Sequence, residues 1–223
     1  MKKIRIKVLR YNPENGVEKE FSTYEVDKDE NSTILEGLQQ IYERNDSTLA
    51  FNYGCRVKNC GLCAVNADGK PYYACITKIK DSMEITPLNN LPLIKDLIFD
   101  REQFFNFLKT FKPYVIRDKP PETLPETLIQ PPEHAQLMSC RECFACMSSC
   151  PEYKWEDESF GGPLGFVKLA QLHYDCRDSQ DRVSQARDMG ILKCTECKKC
   201  VCISGIPINK IVIQPFLETL NAR

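Results

Sequence analysis

The sequence predicts an α+β chain: an N-terminal β-grasp domain over residues 1–98, then an α-helical domain over residues 99–223. Three observations predict it. Apolar residues alternate with charged ones near the N-terminus, around one stretch of helical periodicity. Beyond residue 99 the apolar spacing is mostly helical. Twelve of the thirteen cysteines fall into three tight groups, one in the first part and two in the second.

Taken in order, Ile4, Ile6 and Val8 alternate with Lys3, Arg5 and Lys7, the pattern of a half-buried strand. Asn12-Pro13-Glu14-Asn15-Gly16 has turn composition, and Phe21–Val26 is the returning strand of a hairpin. Ser32 or Thr33 can cap a helix from Ile34 to Tyr42, with Ile34, Leu35, Leu38 and Ile41 on one face. Short strands are expected around Cys63–Val65, Tyr72–Ile76 and Met83–Thr86. A helix is expected over Asp96–Phe111, where Leu97, Ile98, Phe104, Phe105 and Leu108 recur at helical spacing. Lys119–Gln136 carries five prolines and reads as an extended connection without helix or central strand. Leu164–Tyr174 and Asp181–Met189 read as helices, and Pro207–Leu220 as a closing segment.

The cysteine groups carry the chemistry. Cys55-x4-Cys60-x2-Cys63, with Cys75 downstream, has the plant-type [2Fe–2S] ferredoxin spacing. Gly54 and Gly61 flank its ligands and let backbone N–H groups approach cluster sulfur, while Arg56 and Lys58 add positive charge. Cys140-x2-Cys143-x2-Cys146-x3-Cys150-Pro151 has the bacterial [4Fe–4S] spacing. In two-cluster ferredoxins the fourth cysteine of such a run ligates the other cluster. Cys140, Cys143 and Cys146 are then completed by the last cysteine of the third group, and Cys150 joins Cys194, Cys197 and Cys200. The regular spacing would put that last cysteine at Ser204; Cys202 is the available thiol, with a Ser204 oxygen ligand as the alternative. The expectation is one [2Fe–2S] and two [4Fe–4S] clusters in a [2Fe–2S] ferredoxin-like domain followed by an α-helical two-cluster ferredoxin domain. Four thiolates also make structural zinc sites, the competing reading of the first group. Disulfides fit poorly, because three thiols two residues apart suit a compact cluster better than pairwise bridges. Cys176 is left over and reads as an ordinary half-buried residue.

Net charge is −1 and the sequence pI is about 6.2, which gives no electrostatic case for nucleic acid or an anionic membrane surface. Mean hydropathy is −0.39, and no stretch has the roughly 18 apolar residues of a membrane span. The N-terminal residues lack the features of a signal or transit peptide, so a cytoplasmic protein is expected, peripheral on the membrane only through partners.

On these residues the chain resembles the iron–sulfur subunits of succinate dehydrogenase and fumarate reductase. The resemblance runs through Arg10-Tyr11-Asn12-Pro13-Glu14, Tyr53-Gly54-Cys55 through Cys63, Gly69-Lys70-Pro71, Pro92–Leu97 and Cys150-Pro151. It implies an FAD-containing flavoprotein partner nearest the [2Fe–2S] domain, and a quinone or another carrier, with an anchor or other accepting subunit, at the far end. It also implies that substrate chemistry lies elsewhere; this chain has two histidines, His134 and His173, and no convincing dicarboxylate site. Quinone-reactive members lack a cysteine at the position of Cys197 and hold a [3Fe–4S] cluster, so a [4Fe–4S] cluster is expected here, with [3Fe–4S] as the alternative. Trp155 matches the family's quinone-side tryptophan, or is a half-buried aromatic beside a cluster. The family's histidine is replaced by Thr195. Lys193, Lys198, Lys199 and Lys210 crowd the third group, either as a solvated face or as charge that raises a cluster potential or docks an acidic partner. The competing functions are service to a flavoenzyme for another organic acid such as a substituted succinate, a zinc-stabilised interaction module, and a free-standing ferredoxin.

Overall fold

The computed structural model describes residues 2–118 and 129–222. Its strands are β1 (Lys2–Asn12), β2 (Val17–Lys28), β3 (Ala64–Ala67), β4 (Lys70–Tyr73), β5 (Ser82–Thr86), β6 (Leu93–Lys95) and β7 (Ile98–Phe99). Its helices are α1 (Ile34–Arg44), α2 (Glu102–Lys109), α3 (Pro132–Met138), α4 (Ala145–Ser148), α5 (Gly162–His173), α6 (Arg182–Asp188) and α7 (Gln214–Asn221). The chain divides into two compact units, Met1–Asp100 with Arg141–Ser149, and Arg101–Cys140 with Cys150–Arg223.

In the first unit a five-stranded mixed sheet has the order β2-β1-β5-β3-β4. β1 pairs antiparallel with β2 and parallel with β5. The expected alternation holds in β1: Ile4, Ile6 and Val8 are buried while Lys3, Arg5 and Lys7 are exposed. α1 begins with a capping box, in which the Thr33 side chain accepts from the Glu36 N–H and the Glu36 side chain accepts from the Thr33 N–H. Such a cap is worth about 1 kcal/mol. Its apolar face, Ile34, Leu35, Leu38 and Ile41, is fully buried. The helix start is tied to the loop holding Cys75, since the Leu35 N–H donates to the Ala74 carbonyl at 2.9 Å and the Ile34 N–H to the Thr77 carbonyl at 2.9 Å.

A buried polar knot fixes the far end of this unit. Arg10 donates to Asp96 at 3.0 Å, to the Tyr24 hydroxyl at 2.6 Å, to the Thr48 hydroxyl at 2.9 Å, and to Asp46. The Asp96 carboxylate, 1% exposed, also accepts from the N–H groups of Tyr11 (2.9 Å) and Ala50 (2.8 Å). That corrects the expected Asp96–Phe111 helix. Asp96 sits at φ 46 in the turn of the β6–β7 hairpin, and the helix covers only Glu102–Lys109. Hydrogen bonds from backbone and guanidinium to one carboxylate outweigh a helical pattern carried by Leu97 and Ile98. The segment Arg141–Ser149 also belongs to this unit: Phe144 packs edge-on against Phe99, and the Ser148 hydroxyl accepts from the Asn89 N–H at 2.8 Å.

In the second unit, α5 is buried along most of its length and packs against α3 and α6, with α7 against α6. Arg182 is fully buried within it. It pairs with Asp178 through two bonds of 2.7 and 2.8 Å, and donates to the carbonyls of Phe111, Lys112 and Tyr114. Asp178 in turn accepts from the Ile116 N–H at 2.9 Å. One buried ion pair thus clamps the non-helical chain that follows α2. The expected extended connection over Lys119–Gln136 needs one correction. Residues 119–128 lie outside the described residues, but residues 132–136 are helical. Pro132 stands in the first turn of α3, where its missing N–H has no intrahelical partner to lose.

Candidate metal centres

The first cysteine group lies in the loop between α1 and β3, with Cys75 just after β4. The strand expected over Tyr72–Ile76 stops at Tyr73, and Cys75 sits in the following turn, where the N–H groups of Ile76 and Thr77 fold back on the Tyr73 carbonyl. Arg56 and Lys58 both adopt φ 59. Left-handed backbone at non-glycine residues costs about 1–3 kcal/mol each, and here it aims successive N–H groups at one point. Val57, Asn59 and Cys60 donate to the Cys55 sulfur at 3.4, 3.0 and 3.2 Å. This concave nest of amides favours an anion. The amide of Val57, followed by those of Asn59 and Cys60, holds the Cys55 thiol down at about 7. Cys63 and Cys75 are buried, and burial pushes Cys63 up to about 12, with the charges of Cys75 and Cys60 adding to the rise. The structure thus brings together Cys55, Cys60, Cys63 and Cys75 in this unit.

Gly61 fits the loop to its surroundings. It has φ 73, and a Cβ there would lie 2.1 Å from the Arg141 carbonyl oxygen. No other residue can both take that φ cheaply and admit that carbonyl. The Arg56 guanidinium covers the Tyr53 ring at 5.3 Å, and Tyr53 stacks on Phe51.

Cys150, Cys194, Cys197 and Cys200 are gathered in the second unit. Each of Cys150, Cys194 and Cys200 feels the charge of Cys197, and Cys194 feels all three others. Burial dominates: it pushes Cys194 up to about 12 and Cys200 to about 11, and raises Cys150 against N–H donors from Glu152 and Tyr153. Cys194 closes a 3-10 turn, Ile191–Cys194, entered through Gly190 at φ 78. A Cβ on Gly190 would lie 2.6 Å from the Ser159 carbonyl. Lys193 donates to Asp157 at 2.8 Å and lies 5.3 Å over the Phe160 ring, so this lysine braces the segment after Cys150. Lys198, Lys199 and Lys210 are exposed.

Of the remaining set, Cys140 follows α3 and is half-buried, Cys143 and Cys146 are buried around α4, and Cys202 is half-buried in a turn closed by the Gly205 N–H. Cys143 and Cys146 belong to the first unit and Cys140 and Cys202 to the second, so this set stands on spacing. Cys176 is exposed rather than half-buried. Among the described residues no group of three His, Cys, Asp or Glu side chains is gathered tightly enough to hold a single metal ion.

Trp155 is half-buried and lines a cleft with Gln103, Phe104, Phe107, Tyr153, Asp157, Glu158 and Phe160. The cleft measures about 20 Å³, against roughly 300–1,000 Å³ for ordinary small-molecule pockets. Thr195 donates its hydroxyl to the Leu192 carbonyl at 2.7 Å, capping the 3-10 turn. One contributor carries no signal in the sequence beyond its place after the third group: Asn209, whose side-chain amide donates to the Cys197 carbonyl at 3.4 Å.

A β-grasp unit with a cysteine loop, joined to a helical unit holding a second thiol set, defines an iron–sulfur protein. Residues 5–106 match the family model of the 2Fe-2S iron-sulfur cluster binding domain. The chain is 31% identical to the fumarate reductase iron-sulfur subunit of Haemophilus influenzae, over 97% of this chain and 93% of that protein. It therefore belongs to the family of iron–sulfur subunits of succinate dehydrogenases and fumarate reductases, which are oxidoreductase complexes. Two archaeal relatives are longer. An uncharacterized iron-sulfur protein of Methanocaldococcus jannaschii is 39% identical over 98% of this chain, and a subunit of the fumarate reductase (CoM/CoB) of Methanothermobacter marburgensis is 32% identical over 98%. The chain spans only 43% and 44% of their lengths. In fold it matches a chain of the Mycobacterium smegmatis Sdh1 complex in the apo form, with a TM-score of 0.85 at 24% identity, covering 99% of this chain and 96% of that one. Among the described residues no helix is long and apolar enough to cross a membrane.

Proposed function

We propose that this chain is the electron-transfer subunit of a succinate dehydrogenase/fumarate reductase-type complex, relaying single electrons between an FAD flavoprotein and a quinone or another carrier. The observation that carries the reading is the Cys55 sulfur ringed by three backbone N–H donors, the surroundings that an anionic cluster ligand needs. Cys55, Cys60, Cys63 and Cys75 would hold a [2Fe–2S] cluster. Cys150, Cys194, Cys197 and Cys200 would hold one [4Fe–4S] cluster, and Cys140, Cys143, Cys146 and Cys202 another. When bound, the clusters supply one-electron chemistry that divides the electron pair of a flavin. The chain's own residues supply the rest. The Val57, Asn59 and Cys60 amides stabilise negative sulfur, Gly61 and Gly190 admit neighbouring carbonyls, and burial of Cys63, Cys150 and Cys194 keeps water away. Attachment to a membrane, on its cytoplasmic face, would come through partner subunits.

A carrier other than quinone is favoured by two observations. Thr195 replaces the family's histidine and commits its hydroxyl to a turn cap, and the cleft beside Trp155 is about 20 Å³. The flavoprotein's substrate, whether succinate, fumarate or a related acid, is read by the partner. Native co-purification followed by a dye-linked assay with succinate and fumarate tests the proposal. A FAD-bearing partner active on either acid supports it. A partner inactive on both keeps the relay and moves the substrate to another acid, and recovery of the chain alone, as a free ferredoxin, overturns it.

A further inference from the structure

The segment after the third cysteine group contains a π-turn, Asn209–Ile213, running directly into α7. Its wide hydrogen bond runs from the Gln214 N–H to the Asn209 carbonyl, five residues back. The cause is Pro215. An α-helical N–H at that position would donate to the Ile211 carbonyl four residues earlier, but proline has no N–H and its ring crowds that carbonyl. The helix widens by one residue, and the stranded Ile211 carbonyl is taken by the Tyr174 hydroxyl at 3.1 Å, from the end of α5. At the other end of the π-turn, the Asn209 side-chain amide donates to the Cys197 carbonyl at 3.4 Å. Pro215 and Tyr174 together set the register of the turn, and the register sets where Asn209 points. Single-turn π-bulges of this kind frequently mark functional sites.

We infer that Asn209 is a positioning residue for the Cys150–Cys194–Cys197–Cys200 centre, holding the Cys197–Lys198 peptide so that its dipole raises the reduction potential of the cluster there. The inference rests on the reading of these four cysteines as ligands of the third cluster. A hydrogen bond accepted by the Cys197 carbonyl fixes the peptide plane and polarises its N–H, which strengthens the positive end of the dipole beside the ligand. The other charges around the group are Glu152, which acts on Cys150 and Cys194, Lys193, already paired with Asp157, and exposed Glu196, Lys198 and Lys199.

The test is an anaerobic potentiometric titration of the intact protein, followed by EPR, on wild type, Asn209→Leu, Asn209→Asp and Tyr174→Phe. The Asn209→Leu variant should lower the third cluster's potential alone. The expected size is about a tenfold change in its oxidised-to-reduced ratio at fixed poise, ~59 mV for one electron. Asn209→Asp, which replaces the donor by a negative charge, should lower it further, and Tyr174→Phe less. Loss of the third cluster alone from Asn209→Leu, with Tyr174→Phe retaining it at a lowered potential, supports the same role. An unchanged or raised third-cluster potential in Asn209→Leu, at full cluster content, overturns the inference. A wild-type protein without a third cluster instead overturns the ligand reading on which it rests.

Discussion

Cys55 and Cys194 hold their sulfurs in opposite settings. In the loop, strained backbone at Arg56 and Lys58 turns three amides onto one thiol and lowers it to about 7. In the helical unit, burial raises Cys194 to about 12 and Cys200 to about 11. A β-sheet unit with a long loop can wrap an anion in backbone, whereas in the helical unit the N–H donors of Glu152 and Tyr153 act on Cys150 and burial outweighs them. Cys55 is preorganised for negative charge before any metal arrives. Cys63 in the first site, like Cys194 and Cys200 in the second, requires a cation to make thiolate formation favourable, because burial opposes it.

Exchange of single ligands separates the sites with the largest effect. Cys60→Ser should remove the [2Fe–2S] EPR signal and leave the others, and Cys194→Ser should remove the third cluster alone. If either serine variant lost both signals, the two sites would not be independent.

The buried ion pairs come next. Arg182→Ala leaves Asp178 buried without its cation, and Asp96→Ala strips Arg10 of its buried carboxylate, leaving only Asp46, and unpairs the Tyr11 and Ala50 N–H groups from it; each should cost about 3–5 kcal/mol in urea-unfolding free energy. A loss under ~1 kcal/mol for either would mean that the polar knot of that unit does not hold it together. A smaller effect is expected at the glycines, about 1–3 kcal/mol each from forced left-handed backbone. Gly61→Ala should weaken loading of the first cluster and Gly190→Ala that of the third, measured by iron retention. The reverse pattern would contradict the roles given to the two loops.

The smallest effect is a pH dependence. Burial alone would raise the Asp46 carboxyl, but bonds from Thr48, Tyr24 and Arg10 outweigh it and hold it well below the usual carboxylate range. A depressed folded-state value stabilises the fold above the unfolded aspartate value of about 3.9, and that stability fades as pH falls below it. The gap in unfolding free energy between wild type and Asp46→Asn should therefore be widest near neutrality and narrow on acidification. A gap that widens in acid would contradict the assignment.

Much of this was legible in the residues, where the governing interaction is local. The alternation of β1, the Thr33 cap and the cysteine spacings each depend on neighbours within a few positions. Legibility failed where distant groups decide. Asp96 lies in a helical pattern but is claimed by Arg10, Tyr11 and Ala50, and Arg182 looks like a surface residue until its carbonyl partners at 111–114 are known. Pro132 reads as a breaker inside a proline run yet starts α3. Pro215 announces a perturbed helix, but only the fold brings Tyr174 to the carbonyl it strands. In the candidate sites, spacing proposed which cysteines share a centre, but it carried no information on the amide nest that favours thiolate at Cys55.

The central claim, a single chain carrying three iron–sulfur clusters, is tested most directly by metal and acid-labile sulfide analysis of anaerobically purified protein, with EPR before and after dithionite reduction. The expected result is brown protein with about ten iron and ten sulfide per chain, one [2Fe–2S] and two [4Fe–4S] signals on reduction, and little signal when oxidised. Colourless protein with zinc and no sulfide would contradict it, and a stoichiometric oxidised-state [3Fe–4S] signal would contradict the role given to Cys197.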